Sequence, residues 1–138
     1  MRISFIGAKD NPVSVFNELA KGLSKKVSGL ELNQRFVPET DDLPIVALEE
    51  ANESDFVFVF AIIEDGNEKK LIEEKLIDVE LKTNTRILKA IEEDSFSDLS
   101  EEEYLDEKDK LVENYVDMIV GILFNENEFE PADKDFSI

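Results

Sequence analysis

The longest apolar run in the sequence, Phe56 to Ile63 (FVFVFAII), constrains the fold most strongly. It is far shorter than the ~20 residues of a membrane-spanning helix, and it is rich in the β-branched and aromatic residues that favour strands. A strand that is apolar at every position is buried on both faces, which is typical of a central strand in a parallel sheet. The run therefore predicts an α/β protein with helices on both faces of a sheet, and it gives no sign of a membrane partner.

Three further segments carry strand patterns, and helical patterns lie between and after the strands. The strand patterns occupy residues 2–8, 30–37 and 85–91, and the helical patterns occupy residues 11–23, 43–54, 68–83 and 100–123. Because crossovers between parallel strands are right-handed, this order predicts a four-stranded parallel sheet in the order 2-1-3-4. The expected architecture is a three-layer α/β/α, flavodoxin-like fold.

Two of the helices have clear start signals. Asn11 precedes Pro12, a pair that suits the cap and the first position of a helix. Ser100 is followed three residues later by Glu103, which is the spacing of a capping box. These signals place the starts of the first and the last helix.

The segment between the second strand and the second helix, RFVPETDDLP (Arg35 to Pro44), contains two prolines and two aspartates. Asp41 or Asp42 is expected to cap the following helix, with Pro44 in its first turn. Its apolar stripe is expected to be Ile45, Leu48 and Ala51. On physical grounds alone this corner is a rigid loop plus a helix cap.

Composition excludes several classes of function. The chain has 34 acidic and 15 basic residues, and its net charge of -19 opposes binding to nucleic acid or to anionic membranes. It has no cysteine and no histidine, which removes thiolate nucleophiles, histidine bases and nearly all zinc or iron sites. We expect no metal site.

Length and patterning predict one α/β domain over residues 1–124 and an acidic tail over residues 125–138. The tail is broken by a proline and carries Phe129 and Phe136, which suggests either disorder or an arm that docks elsewhere. The sequence opens on a strand pattern with no signal-peptide architecture, so we expect a soluble, cytoplasmic protein.

Ligands of such sheets bind outside the carboxyl ends of the strands, near the point where the strand order reverses. Here the loops at that edge read GAKDN, VPETDD and IEDGNE. Glu64 and Asp65, with Glu68 nearby, fit a hard-cation site or a general acid and base pair, and also a solvated turn. Asp65 as a phosphoacceptor is a weaker alternative.

The corner also carries a family pattern: Val-Pro, three residues, then Asp-Leu-Pro and a helix. The matching residues are Val37, Pro38, Asp42, Leu43 and Pro44. Asp55 then leads an apolar strand, and Glu80 matches an acidic position in the third helix. The chain thus resembles the lumazine synthase-like family, most closely its archaeal-type riboflavin synthase branch.

The resemblance implies a function, a site and an assembly. The implied reaction is the disproportionation of two ribityl-lumazine molecules to give riboflavin, with no metal or cofactor. Glu80 would be catalytic as a hydrogen-bonding partner of the substrate, and Glu80→Gln would lower turnover with little change in melting temperature. The implied assembly is a homo-oligomer, with a cyclic pentamer as the leading form, that depends on salt. The heterocycle would lie against Val37, Pro38, Thr40, Asp42, Ile63 and Asp65.

The chain also departs from the family. The riboflavin synthase branch has a histidine where this chain has Val79. The alternative is a catalytically silent paralogue that binds a flavin-like ring or simply assembles. Within the enzyme alternatives, an acidic mouth opposes the phosphorylated substrate of lumazine synthase, which favours the riboflavin synthase branch.

Overall fold

The structure of the protein is a computed structural model, and it describes residues 1–125. Four parallel strands form one sheet in the order β2-β1-β3-β4, as the sequence predicted. The strands are β1 (Arg2–Ala8), β2 (Glu31–Val37), β3 (Phe56–Ile62) and β4 (Arg86–Glu92). The helices are α1 (Phe16–Lys26), α2 (Leu43–Ala51), α3 (Gly66–Thr83) and α4 (Glu101–Asn125), and a short 3-10 turn spans Thr40–Asp42. The predicted three-layer α/β fold is confirmed.

One face of the sheet is covered by α1 and α4 and has an aromatic core. Phe5 of β1 stacks on Phe16 of α1 with ring centroids 5.3 Å apart. Phe58 of β3 meets Tyr115 of α4 edge to face, also at 5.3 Å. Such pairs add about 0.5–1.5 kcal/mol each beyond the area that they bury. These aromatic contacts therefore join the central strands β1 and β3 to the helices α1 and α4.

The opposite face is covered by α2 and α3 and has an aliphatic core. Because side chains alternate along a strand, the valines of β3 point to this face while its phenylalanines point to the other. Leu43 and Ala47 of α2 and Leu76 of α3 pack here and are fully buried. The sheet is thus buried on both sides, as the apolar run required.

The local predictions have mixed outcomes. The capping box is confirmed, because Ser100 Oγ accepts from the Glu103 N–H at 3.2 Å and Glu103 accepts from the Ser100 N–H at 3.3 Å. The start of the first helix is wrong, because α1 begins at Phe16 and not after Asn11. The predicted tail lies outside the described residues apart from Asn125.

The predicted apolar stripe of the second helix is also wrong in part. The structure buries Leu43, Ala47 and Ala51, whereas Ile45 is 62% exposed and Leu48 is 36% exposed. Pro44 does lie in the first turn, as predicted. A nine-residue helix has too few turns for its period alone to identify the inner face.

Within residues 1–125, no helix combines the length and the apolar character needed to cross a membrane.

Two glycines allow a test of helix packing. A Cβ at Gly22 of α1 would lie 2.7 Å from Val116 Cγ2 of α4, whereas a Cβ at Gly121 of α4 would meet nothing within 4 Å. Alanine gains up to about 1 kcal/mol over glycine in a helix, but overpacking costs about 1–3 kcal/mol. We expect Gly22→Ala to lower the free energy of unfolding and Gly121→Ala to raise it, as measured by urea denaturation. Equal shifts in the two variants would contradict this packing.

The phenol of Tyr115 supplies a second test. Burial first, and then the hydrogen bond from its hydroxyl to the Glu92 carboxylate, raise the pKa of Tyr115 far above its ordinary value. An unfolded tyrosine ionises near pH ~10, so this contribution is complete below that pH and is lost as the pH rises.

We expect the unfolding free energy above pH ~10 to fall more steeply in the natural protein than in Tyr115→Phe, by up to about 1.4 kcal/mol per pH unit. Urea denaturation at a series of alkaline pH values measures both slopes. Parallel slopes would show that Tyr115 ionises equally in the folded and unfolded chains.

Candidate functional site

The carboxyl ends of the four strands meet at one edge of the sheet, and the loops that follow them form a mouth there. Lys9 to Asn11 follow β1, and Pro38 to Thr40 follow β2. The Lys9 N–H donates to the Val37 carbonyl at 2.9 Å, which extends the β1–β2 ladder into the mouth. The predicted location of the loops is therefore correct, and this hydrogen bond joins the ends of β1 and β2 at the mouth.

Asn11 fills the point where the strand order reverses. Its amide nitrogen donates to the Phe60 carbonyl at 3.2 Å, and its amide oxygen accepts from the Ile62 N–H at 3.2 Å. The side chain therefore satisfies two backbone groups of β3 as a neighbouring strand would. This explains why Asn11 does not start a helix: its amide bonds to β3 and not to the first turn of α1.

A small crevice opens beside Asn11, on the aromatic face of the sheet. Its volume is about 220 Å³. The Phe16 and Phe36 rings meet edge to face in its wall, with centroids 5.3 Å apart and planes at 63°. The lining residues are Ala8, Lys9, Asn11, Ser14, Val15, Phe16, Phe36 and Phe60.

The crevice combines apolar walls with polar groups on its rim. Phe36 is 46% exposed, which is unusual for a phenylalanine that already packs against a buried ring. Lys9 and Ser14 are exposed. Apolar walls with a few polar groups are typical of sites for small organic molecules.

The predicted corner lies at the same mouth, and its side chains have structural partners. Val37 is buried in the aliphatic core, and Pro38 is exposed. The Thr40 hydroxyl donates to Glu68 at the start of α3, at 2.6 Å. Asp42 occupies the cap position of α2, but its side chain makes no capping hydrogen bond. The corner therefore connects to α3 through Thr40 and presents Pro38 to solvent.

The carboxylates after β3 are also engaged locally. Asp65 caps α3 by accepting from the N–H groups of Asn67, at 2.8 Å, and Glu68, at 3.3 Å. Glu64 accepts from the Asp94 N–H in the loop after β4. Ile63 is only 4% exposed and belongs to the aliphatic core. Among residues 1–125, no group of acidic side chains is arranged to hold a metal ion.

Glu80 lies at the opposite end of the sheet from the mouth. It comes fourteen residues after the start of α3 at Gly66, which is about 21 Å along the helix. Its carboxylate accepts from the Ile87 N–H at 2.9 Å and forms an ion pair with Lys89. A single chain thus brings Thr40 and Glu68 together but does not bring Glu80 to the corner.

Sequence reasoning missed a buried polar cluster around Glu50 of α2. Glu50 is 4% exposed and accepts from Ser4 of β1 at 3.1 Å and from Asn33 of β2. Arg2 and Arg35 approach its carboxylate at 3.8 and 3.9 Å, so the buried charge is compensated. The sequence carried no usable signal for this cluster, because the period of the nine-residue α2 does not by itself identify the inner face of the helix.

The partners of Glu80 revise one expectation. Charge-assisted hydrogen bonds at a partly buried site contribute about 1.5–3 kcal/mol each. We therefore expect Glu80→Gln to lower the free energy of unfolding by about 1–2 kcal/mol, and not to leave the melting temperature unchanged. Glu74→Gln, at an exposed position on the same helix, is the control. Urea denaturation compares the two, and equal stabilities would contradict the structural role of Glu80.

The sequence matches no known protein family model and no characterised protein.

Proposed function

We propose that this protein binds one neutral, flat heterocycle of the lumazine or flavin type in the crevice beside Phe36. The observation that carries the proposal is the aromatic wall at the carboxyl end of β1, with Lys9 and Ser14 on its rim. A ring stacked on the exposed part of Phe36 would gain aromatic contact, and the rim groups would meet its polar atoms. The protein would then be a catalytically silent paralogue of the lumazine synthase-like family.

The size of the crevice supports one ring system and not two. Its volume of about 220 Å³ is below the roughly 300–1,000 Å³ of typical ligand pockets. Disproportionation requires two ribityl-lumazine rings side by side. A crevice of this size suits binding better than it suits that reaction.

The charge of the mouth supports a ligand without phosphate. Asp41, Asp42, Glu64 and Asp65 share this edge of the sheet, whereas Lys9 is the cation that lines the crevice. Carboxylates at this density oppose a phosphate group at low ionic strength. Riboflavin and ribityl-lumazine should therefore bind more tightly than their phosphorylated relatives.

The riboflavin synthase function is a second candidate, favoured by the Val37 to Thr40 main chain at the same edge. In one chain the acidic residue that the resemblance offers, Glu80, is about 21 Å along α3 from the start of that helix. The reaction would therefore require Glu80 from a second copy, in the homo-oligomer that the resemblance implies.

Fluorescence titration with riboflavin tests the proposal. We expect the full chain to quench riboflavin emission saturably, and Phe36→Ala to weaken binding roughly tenfold because the ring contact is lost. Phe124→Ala is the matched control, since Phe124 is an equally large side chain, 63% exposed, on α4 and outside the crevice. Flavin mononucleotide should bind more weakly than riboflavin.

The same samples separate the two candidate functions. Incubation with ribityl-lumazine should give no riboflavin above the uncatalysed rate if the protein only binds. Riboflavin formation that is lost in Glu80→Gln would support the enzyme instead. Both candidate functions would be contradicted if the protein neither bound riboflavin nor formed it. A site at this crevice would be contradicted if Phe36→Ala and Phe124→Ala lost binding affinity equally.

A further inference from the structure

The two outer edges of the sheet differ in how their backbone is protected. At the β4 edge, the Ile87 N–H donates to Glu80, and the Ile87 carbonyl accepts from the Lys89 ammonium group at 3.1 Å. Side chains thus occupy the two outward backbone groups of Ile87, which would otherwise be open to another strand. Protection of this kind is common at strand edges, because an exposed edge promotes pairing between molecules.

Within the described part of the chain, the β2 edge has no such protection. The Glu31 N–H donates to the Met1 carbonyl, and the Val37 carbonyl accepts from the Lys9 N–H. The backbone N–H and C=O groups of residues 31, 33, 35 and 37 therefore face β1. The backbone groups of Leu32, Gln34 and Phe36 therefore face away from the sheet. Within residues 1–125, no hydrogen bond to any of these outward groups is formed.

The side chains of β2 are complementary to those of a second β2 strand that runs antiparallel to it. If Asn33 lies opposite Asn33, then Glu31 of each strand lies opposite Arg35 of the other, and Leu32 lies opposite Gln34. The outward residues then face each other as hydrogen-bonded pairs, and the charged residues occupy the closer, non-hydrogen-bonded pairs.

Exposure agrees with this pairing. The Glu31 side chain is 70% exposed and pairs with Arg2 at 3.3 Å, and the Arg35 side chain is 40% exposed and pairs with Glu49 at 2.7 Å. In the dimer each side chain would share its present partner with the oppositely charged residue across the new seam. A shift of two residues in either direction loses both charge pairs, so the sequence specifies one register.

We propose that the free edge of β2 pairs with β2 of a second copy of this chain, antiparallel and about a two-fold axis at Asn33. The result is a continuous eight-stranded sheet. The contact is isologous and closes with two copies, whereas a pentamer requires a different, heterologous contact. The proposal does not depend on a ligand at the mouth.

Charge sets the conditions for pairing. Each copy carries a net charge of -19, so the two copies repel each other over long range. Salt screens that repulsion, with a screening length of ~10 Å at 0.1 M ionic strength, while the Glu31 and Arg35 pairs act at contact distance. We expect the fraction of dimer to rise between low and moderate salt.

Single cysteines test the register directly, because the natural chain has none. In the proposed register, Asn33→Cys of two copies lie opposite each other, within the ~4.4–6.8 Å between Cα atoms that a disulfide spans. A cysteine at position 34 would instead lie opposite Leu32 of the second copy. The Cα atoms of the two Gln34→Cys residues would then be farther apart than a disulfide spans. Under mild oxidation, we expect Asn33→Cys to form a covalent dimer at least tenfold faster than Gln34→Cys.

A proline tests the edge without a new cross-link. Gln34→Pro removes an outward N–H that has no partner in the described chain, so the fold should tolerate it while pairing is blocked. Gln34→Thr is the matched control because it keeps that N–H. Light scattering of the full chain at moderate salt should give twice the mass of 15.7 kDa for the natural protein and Gln34→Thr, and 15.7 kDa for Gln34→Pro.

Three results would overturn the proposal. The first is a natural protein that stays monomeric at all salt concentrations. The second is faster cross-linking of Gln34→Cys than of Asn33→Cys in variants with natural circular dichroism. The third is an oligomer, such as five chains, whose mass is unchanged by Gln34→Pro, since that would place the contact on another surface.

Discussion

Burial of β3 on both faces is the constraint on which the rest of the structure depends. Every residue from Phe56 to Ala61 is buried, and the strand pairs with β1 on one side and β4 on the other. Its phenylalanines require one helical layer and its valines another. Parallel pairing also requires a crossover after each strand, which brings all the following loops to one edge. The loops therefore meet at one edge because the sheet is parallel and is covered by helices on both faces.

The polar groups at this mouth mostly stabilise the fold. Asp65 caps α3, Glu68 accepts from Thr40, and Asn11 bonds to β3. A general acid or base must reach its substrate, and a carboxylate that holds a helix start is not free to do so. The aromatic crevice beside Phe36 is different, because none of residues 1–125 covers its surface. This difference is the reason why we propose ligand binding at the crevice and not catalysis.

The two outer strands of the sheet, β4 and β2, differ in the side chains along their edges. The Glu80 carboxylate and the Lys89 ammonium group occupy the outward backbone groups of Ile87 at the β4 edge. In the proposed antiparallel pair of β2 strands, Glu31 of each strand would lie opposite Arg35 of the other. In the proposed pairing, the acidic surface would limit association, because each copy repels the next until salt screens the repulsion. Edge chemistry and net charge would then act together on the proposed dimer.

The sequence by itself determined the topology, the order of strands and the start of α4. The apolar run of β3, the alternation of strands and helices, and the capping box at Ser100 are local patterns, and local patterns can be read without coordinates. The tertiary structure alone decided the role of Asn11, the burial of Glu50 and the meeting of Phe16 with Phe36. Asn11 and Phe60 are 49 residues apart, and Ser4 and Glu50 are 46 apart. Their partners are fixed by crossover geometry and sheet register, which no short window of sequence contains.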